Sequence, residues 1–216
     1  MIRTLLIFFL LTTPFVHSQK IDPDLLNIKK RMDSVKQFSA SLILDLDVPF
    51  INMPTKTAKI SYSVGQKMKF SSKDFVMLPK RGLDFSLTEI FKYPFITVER
   101  GIEKRNGRSI KVINVIPTGN ESELALVTLY MDTKAVRIVQ SEIITRKDGA
   151  YTLMMNYKLL KDILPGYVEA TFAIEKLKIP LNFMGKGTSI DRKKMRSMET
   201  KTGKIKMQLN NYIIKY

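Results

Sequence analysis

Over most of its length this chain places an apolar residue at every second position, and no other feature constrains its fold as much. Leu42, Leu44, Leu46 and Val48 alternate with Ser41, Ile43, Asp45 and Asp47. Ala58, Ile60 and Tyr62 alternate with Lys59, Ser61 and Ser63. Near the C-terminus Val168, Ala170, Phe172 and Ile174 interleave with Glu169, Thr171 and Glu175, and Ile205, Met207 and Leu209 with Lys204, Lys206 and Gln208. A period of two belongs to a strand with one buried and one wet face. Turn residues punctuate the runs. Gly65 follows the second, Asn106-Gly107 lies between 97–104 and 109–116, and Asp132-Thr133-Lys134 lies between 124–131 and 135–145. Lys147-Asp148-Gly149 precedes 151–158, and Pro165-Gly166 opens the run that holds Val168. Asn-Gly is the strongest of these signals, because a tight hairpin needs positive φ at both central positions. Pro49 and Pro54 bracket a loop, residues 68–71 begin a third strand, and 78–82 reads as another loop. The pattern predicts nine or ten strands in an antiparallel meander, with no repeat and no domain-scale linker.

Before the meander the period is different. Asp22 is a good N-cap and Pro23 fits the first helical position. Leu25, Ile28, Met32 and Val35 then recur at spacings of three and four, with Lys29, Lys30 and Arg31 away from that stripe. This predicts a helix over 23–36. Ser86 and Glu89 form a capping box for a short helix over 87–92. A sheet with one apolar face must be covered by a second sheet, by closure into a barrel, or by helices. Two early helices suit the third solution.

The chain has no cysteine, so a core of apolar contacts has to supply its stability. Residues 1–18 read as an export signal: Arg3, then an apolar stretch from Leu5 to about Val16, then small residues before a cleavage point at Ser18-Gln19. That apolar stretch is too short to span a bilayer, which needs roughly 20 residues. Cleavage of 18 of the 216 residues leaves 198, read as one domain over 19–216, exported to the periplasm. His17 is the only histidine and goes with the leader, so the mature chain has no His, Cys or Trp. A Ser-His-Asp triad, a Cys-His pair and a conventional zinc site are excluded. Carboxylate pairs, a Ser-Lys dyad and oxygen-ligated metals remain, and no arrangement points to one. Asp45 and Asp47 read as solvated strand residues, and Gly185-Lys186-Gly187 as a turn. The expectation is no catalytic residues, no metal and no cofactor. The net charge of +16, or +15 once Arg3 is removed, points to anionic partners. Export argues against nucleic acid and for membrane surfaces, lipid headgroups or acidic proteins.

The order of parts resembles a known family. After the amphipathic helix, Val35-Lys36-Gln37-Phe38-Ser39-Ala40 leads into a long strand. A pair follows with Ala58-Lys59-Ile60-Ser61-Tyr62 and Lys67-Met68-Lys69-Phe70, and later come Tyr130-Met131-Asp132-Thr133 and Arg146-Lys147-Asp148-Gly149-Ala150-Tyr151-Thr152. This is similar to divergent members of the LolA-like outer-membrane lipoprotein-sorting family, across nearly the whole mature chain. The resemblance implies an α+β, mainly antiparallel fold: an unclosed, curved β-barrel, or half-barrel, with helices as a lid over its concave face. It implies a periplasmic carrier that shields lipid or lipoprotein acyl chains in a hydrophobic cavity on the way to the outer membrane, with membrane-bound donor and acceptor proteins. An envelope sensor or adaptor that binds a protein partner with the same fold is the alternative. The strongly basic C-terminal third lies outside the family pattern.

Expected sites follow. Leu42, Leu44, Leu46, Ile60, Tyr62, Met68 and Phe70 should line the concave face, and Leu25, Ile28, Met32 and Val35 should form the lid. Residues 186–206 hold eight cations against Asp191 and Glu199, a net +6, and read as a mobile surface loop. Within it Arg192, Lys193, Lys194 and Arg196 are candidates for docking on an anionic membrane surface or an acidic partner. Eleven of the twelve methionines survive cleavage, and methionine is a deformable filler suited to varied apolar ligands. A small outer-membrane barrel, the third architecture the strand count allows, would need longer apolar bands than these charged strands offer. The chain is expected to be a monomer.

Overall fold

The computed structural model describes residues 21–66, 68–72, 87–147, 149–174 and 187–216. The expected export signal with its Ser18-Gln19 junction, Lys67, the expected loop 78–82, the expected cap Ser86, Asp148, Glu175 and Lys186 lie outside the described residues. Helix α1 (Pro23–Asp33) is followed by β1 (Gln37–Asp47), β2 (Ile51–Asn52), β3 (Lys56–Ser63) and β4 (Lys69–Ser71). A short helix, α2 (Thr88–Phe91), precedes β5 (Phe95–Arg105), β6 (Arg108–Pro117), β7 (Leu124–Asp132), β8 (Arg137–Thr145), β9 (Ala150–Asn156) and β10 (Tyr167–Ile174). Then come β11 (Ser189–Ile190), α3 (Arg192–Ser197) and β12 (Lys201–Lys215).

Ten of these strands form one sheet, in the order β4-β3-β1-β12-β10-β9-β8-β7-β6-β5, with every neighbouring pair antiparallel. From β5 to β10 the order is the sequential meander. The long C-terminal strand then inserts between β10 and β1, which joins the two halves of the sheet. Asn106 and Gly107, at φ 49° and 74°, make the predicted two-residue hairpin between Arg105 and Arg108. The sheet does not close: β4 and β5 end it, with no pairing between them among the described residues. That sets aside the closed outer-membrane barrel.

The sheet is curved because its cover is small. Ten strands at about 4.8 Å would make a flat surface roughly 45 Å wide. An 11-residue helix is about 16 Å long. Yet one core cluster joins Leu25 and Ile28 of α1 to buried residues on β1, β3, β6, β7, β9, β10 and β12. A second, small cluster of Ile110, Val112 and Tyr130 lies on the convex side of β6 and β7. At Gly203 a Cβ would stand 2.6 Å from Val48 Cγ2 and 2.8 Å from Phe172 Cζ, so glycine lets β12 pass between these side chains.

Two predicted boundaries shift. Helix α1 stops at Asp33 rather than Lys36, because β1 begins at Gln37 and Lys36 N–H already donates to Lys215 O of β12. The predicted loop between Pro49 and Pro54 contains β2, which pairs with β11 from the far end of the chain.

Candidate functional site

Antiparallel partners point to the same side of a sheet, so the register traces one apolar face across it. Leu42 stands between Ala58 and Leu209, Leu44 is opposite Met207, and Leu46 is opposite Ile205. The row continues through Val168 and Met155, through Ala170 and Leu153, and reaches Leu129 and Ile113 by way of Ser141. Of the seven residues expected to line this face, Leu42, Leu44 and Ile60 are buried in the main core. Leu46, Tyr62 and Met68 are half-buried against it, with Tyr62 stacked on Phe38 at 5.5 Å. Phe70 is opposite Ile60, but it sits on a three-residue edge strand and is 38% exposed. Sequence reasoning took the face from the first three strands alone, although β9, β10 and β12 contribute as much of it. Eight of the nine described methionines (Met32, Met53, Met68, Met131, Met155, Met195, Met198 and Met207) belong to or pack on this core.

Helix α1 covers the face. Leu25 and Ile28 are fully buried, Val35 nearly so, and Met32 is half-buried, all within the same cluster. Its polar attachments came from no periodicity. Asp22 caps the helix by accepting from the backbone N–H groups of Asp24 and Leu25. Its second carboxylate oxygen lies 2.8 Å from Lys111 Nζ on β6, which also reaches Asp24 at 2.9 Å. Burial works against the Lys111 charge, yet the hydrogen bonds to Asp22 and Asp24 outweigh it and hold its pKa above the ordinary lysine value. At the other end of α1, the Arg31 guanidinium donates to the carbonyls of Ala135, Val136, Lys161 and Asp162. Helix α1 thus has a carboxylate–lysine latch at one end and an arginine clasp at the other.

The two functions of Asp22 are separable. Asp22→Asn keeps a capping oxygen and removes the charge pair, whereas Asp22→Ala removes both. The alanine variant is expected to cost about 1 kcal/mol more than the asparagine variant, measured by urea unfolding. Equal losses would mean that the cap contributes nothing. Because the Lys111 pKa is raised, its contribution is complete below the unfolded lysine value of about 10.4 and is lost only as pH rises through the folded value. The latch should therefore hold unchanged between pH 6 and 9.

A second cover lies at the end of β1 and the start of β12. Phe50, at 1% exposure, Ile51 and Met53 are buried there, and Met195 and Met198 pack on the same core. Strands β2 and β11 share two register pairs, and Asp191 N–H donates to Phe50 O. This corrects the expected mobile loop. Asp191 caps α3 by accepting from Lys194 N–H, and Met195 and Met198, three residues apart, anchor that segment. Lys201, Lys204 and Lys206 belong to β12. The docking candidates Arg192, Lys193, Lys194 and Arg196 are all exposed on α3.

On the opposite face, β1, β10 and β12 carry ion pairs. Lys206 Nζ is 3.9 Å from Asp45, and Lys204 Nζ is 3.1 Å from Glu169. The hydrogen bond from Lys204 holds the Glu169 carboxyl below the usual range. Asp45 and Asp47 stand opposite Lys206 and Lys204 in the ladder, which is a structural role. Among the described residues no group of three or more Asp or Glu side chains is placed to hold a metal ion. A recess of about 370 Å³ on the solvent side of α1 is lined by Leu26, Lys29, Lys30, Asp33, Ser34 and Lys36.

No protein-family model and no curated protein matches the sequence. Solved structures do match. A DUF1329 family protein from Desulfovibrio piger superposes with a TM-score of 0.50 at 9% identity, covering 88% of this chain and 91% of that one. A domain from Vibrio parahaemolyticus named for outer membrane lipoprotein sorting gives 0.47 at 12% identity, covering 88% and 92%. A LolA superfamily protein from Nitrosomonas europaea gives 0.46 at 10% identity, covering 88% and 93%. At such identities the likeness is one of fold alone, and on that level this chain, an open antiparallel sheet with helices, is similar to the Desulfovibrio piger protein.

Proposed function

We propose that residues 19–216 form one carrier unit that shields an acyl chain, from a lipid or a lipoprotein, on the concave face and moves it through the periplasm toward the outer membrane. The observation that carries this reading is the apolar row running from β3 to β6 under two covers. One cover is latched by ions and the other is seated by methionines. Each buried CH₂ of an acyl chain gains about 0.8 kcal/mol, so a long chain offsets the loss of the lid's own contacts with the face. Methionine suits a wall that must close on itself when empty and reshape around a ligand. In this closed state Leu25, Ile28 and Phe50 occupy the space the ligand would take, and loading requires one cover to lift. The reading needs no catalytic side chain, metal or cofactor.

Native mass spectrometry of the chain purified from its own envelope tests this. Bound lipid or acylated protein is the expected result. A chain that carries no acyl species and also fails to take up a fluorescent long-chain fatty acid would overturn the reading. A stable protein complex free of lipid would favour the adaptor alternative.

A further inference from the structure

The two covers are held differently. Helix α1 is fixed by the Lys111 latch and by four carbonyls on Arg31. The β2–β11–α3 flap has two register pairs, one further backbone bond from Asp191, and apolar seating. Its helix also has two opposed sides. Met195 and Met198 pack on the core, while Arg192, Lys193, Lys194 and Arg196 are exposed. None of these four cations has a carboxylate within ion-pair distance among the described residues, whereas Lys29, Arg105, Arg108, Lys111, Arg137, Lys204 and Lys206 all do. Four unpaired cations within five residues form a concentrated positive surface. It sits on the cover itself, which is where a lipid source would need to make contact.

We propose that α3 docks the chain on an anionic phospholipid bilayer, and that docking acts on the flap directly, so that the carrier opens where acyl chains are available. The bilayer is favoured as partner because its surface potential attracts clustered cations without requiring a shaped counterpart. The four cations follow one another along one exposed six-residue helix, an arrangement that such a potential is enough to attract. The opening step rests on the carrier reading above; the docking step does not.

The test compares two variants of the mature chain with equal net charge. In one, Arg192, Lys193, Lys194 and Arg196 become Gln. In the other, the exposed Arg100, Lys104, Lys134 and Lys147 become Gln. Both should fold as wild type, as judged by circular dichroism and melting temperature. Binding is read by flotation with vesicles of phosphatidylglycerol and phosphatidylcholine at low salt. Each cation near such a surface contributes about a fivefold factor, so the α3 variant, which loses four, should bind about 600-fold more weakly. The control should change little, and wild-type binding should fade once the Debye length falls below about 10 Å in added salt. Equal losses in the two variants, or a wild type that ignores the vesicles even if it binds an acidic protein, would overturn the proposal. Wild-type docking without acyl uptake from the vesicles would remove the carrier reading and leave the docking surface standing.

Discussion

Replacing Asp132 with alanine is expected to destabilise the fold by about 3–5 kcal/mol, the range for breaking a buried ion pair from one side. Asp132 and Arg137 are each 4% exposed at the side chain and face each other across the β7–β8 hairpin, 3.7 Å apart. Arg108 approaches the same carboxylate at 3.2 Å, and the other Asp132 oxygen accepts the Ala135 N–H at 3.1 Å. The Arg137 guanidinium lies 4.3 Å over the Tyr157 ring and donates to Leu159 O, while its Nε has no partner. Burial lowers its pKa, and Asp132 is the carboxylate that opposes this shift. Removing that carboxylate leaves a buried cation with nothing to neutralise it. The damage should spread, because the Ala135 and Val136 carbonyls of this hairpin hold Arg31 of the lid. Urea unfolding together with hydrogen exchange along α1 would check both parts. A double variant, Asp132→Ala with Arg137→Leu, should recover much of the loss, since no buried charge remains. A single variant that loses less than about 1 kcal/mol would show that water and the Leu159 carbonyl solvate Arg137 adequately.

What the sequence reveals here is what short-range chemistry determines. Alternation located the strands, Asn106-Gly107 placed the hairpin, and Asp22-Pro23 placed the start of α1, because each depends on residues within a few positions of one another. Alternation put Leu42, Leu44 and Ile60 on one side, and all three are buried in the main core. It failed at Phe70, because alternation does not reveal that a strand lies at the sheet's edge. The second cover was not legible. Strands β2 and β11 are two residues each and come from opposite ends of the chain, so neither has a period. Helix α3 is six residues long and four are cationic, which reads as a solvated loop unless Met195 and Met198 are known to meet a core. The latch was hidden for a similar reason: Lys111 looks like an ordinary outward strand lysine until the lid places Asp22 and Asp24 above it. Arg31, off the apolar stripe of α1, finds backbone carbonyls, and a carbonyl partner leaves no trace in side-chain identity.

Phe50 offers the sharpest way to separate the flap from the sheet it covers. It is among the largest fully buried side chains, at 1% exposure, yet it sits just after β1 on the flap rather than on a long strand. Truncating a buried phenylalanine costs about 3–5 kcal/mol, and in a chain of this size that lowers the melting temperature by about 10 °C. The distribution of the effect is more informative than its size. If Phe50 pins a cover that lifts as a unit, Phe50→Ala should speed exchange selectively at the Ile51 amide, which donates to Val48 O, and at the Asp191 amide, which donates to Phe50 O. A change of about 100-fold at these positions corresponds to roughly 2.7 kcal/mol of local opening. Amides of β6 and β7 should slow or speed only with global stability. Leu129→Ala, on β7 and fully buried, provides the comparison, with a similar loss of stability and no selective opening of the flap. Under the carrier reading, Phe50→Ala should also take up a fluorescent fatty acid faster than wild type, because the barrier to lifting the cover has fallen while the apolar row beneath it is intact. Uniform loss of protection in both variants, with uptake unchanged, would mean that the flap is part of the rigid core and that loading proceeds through α1.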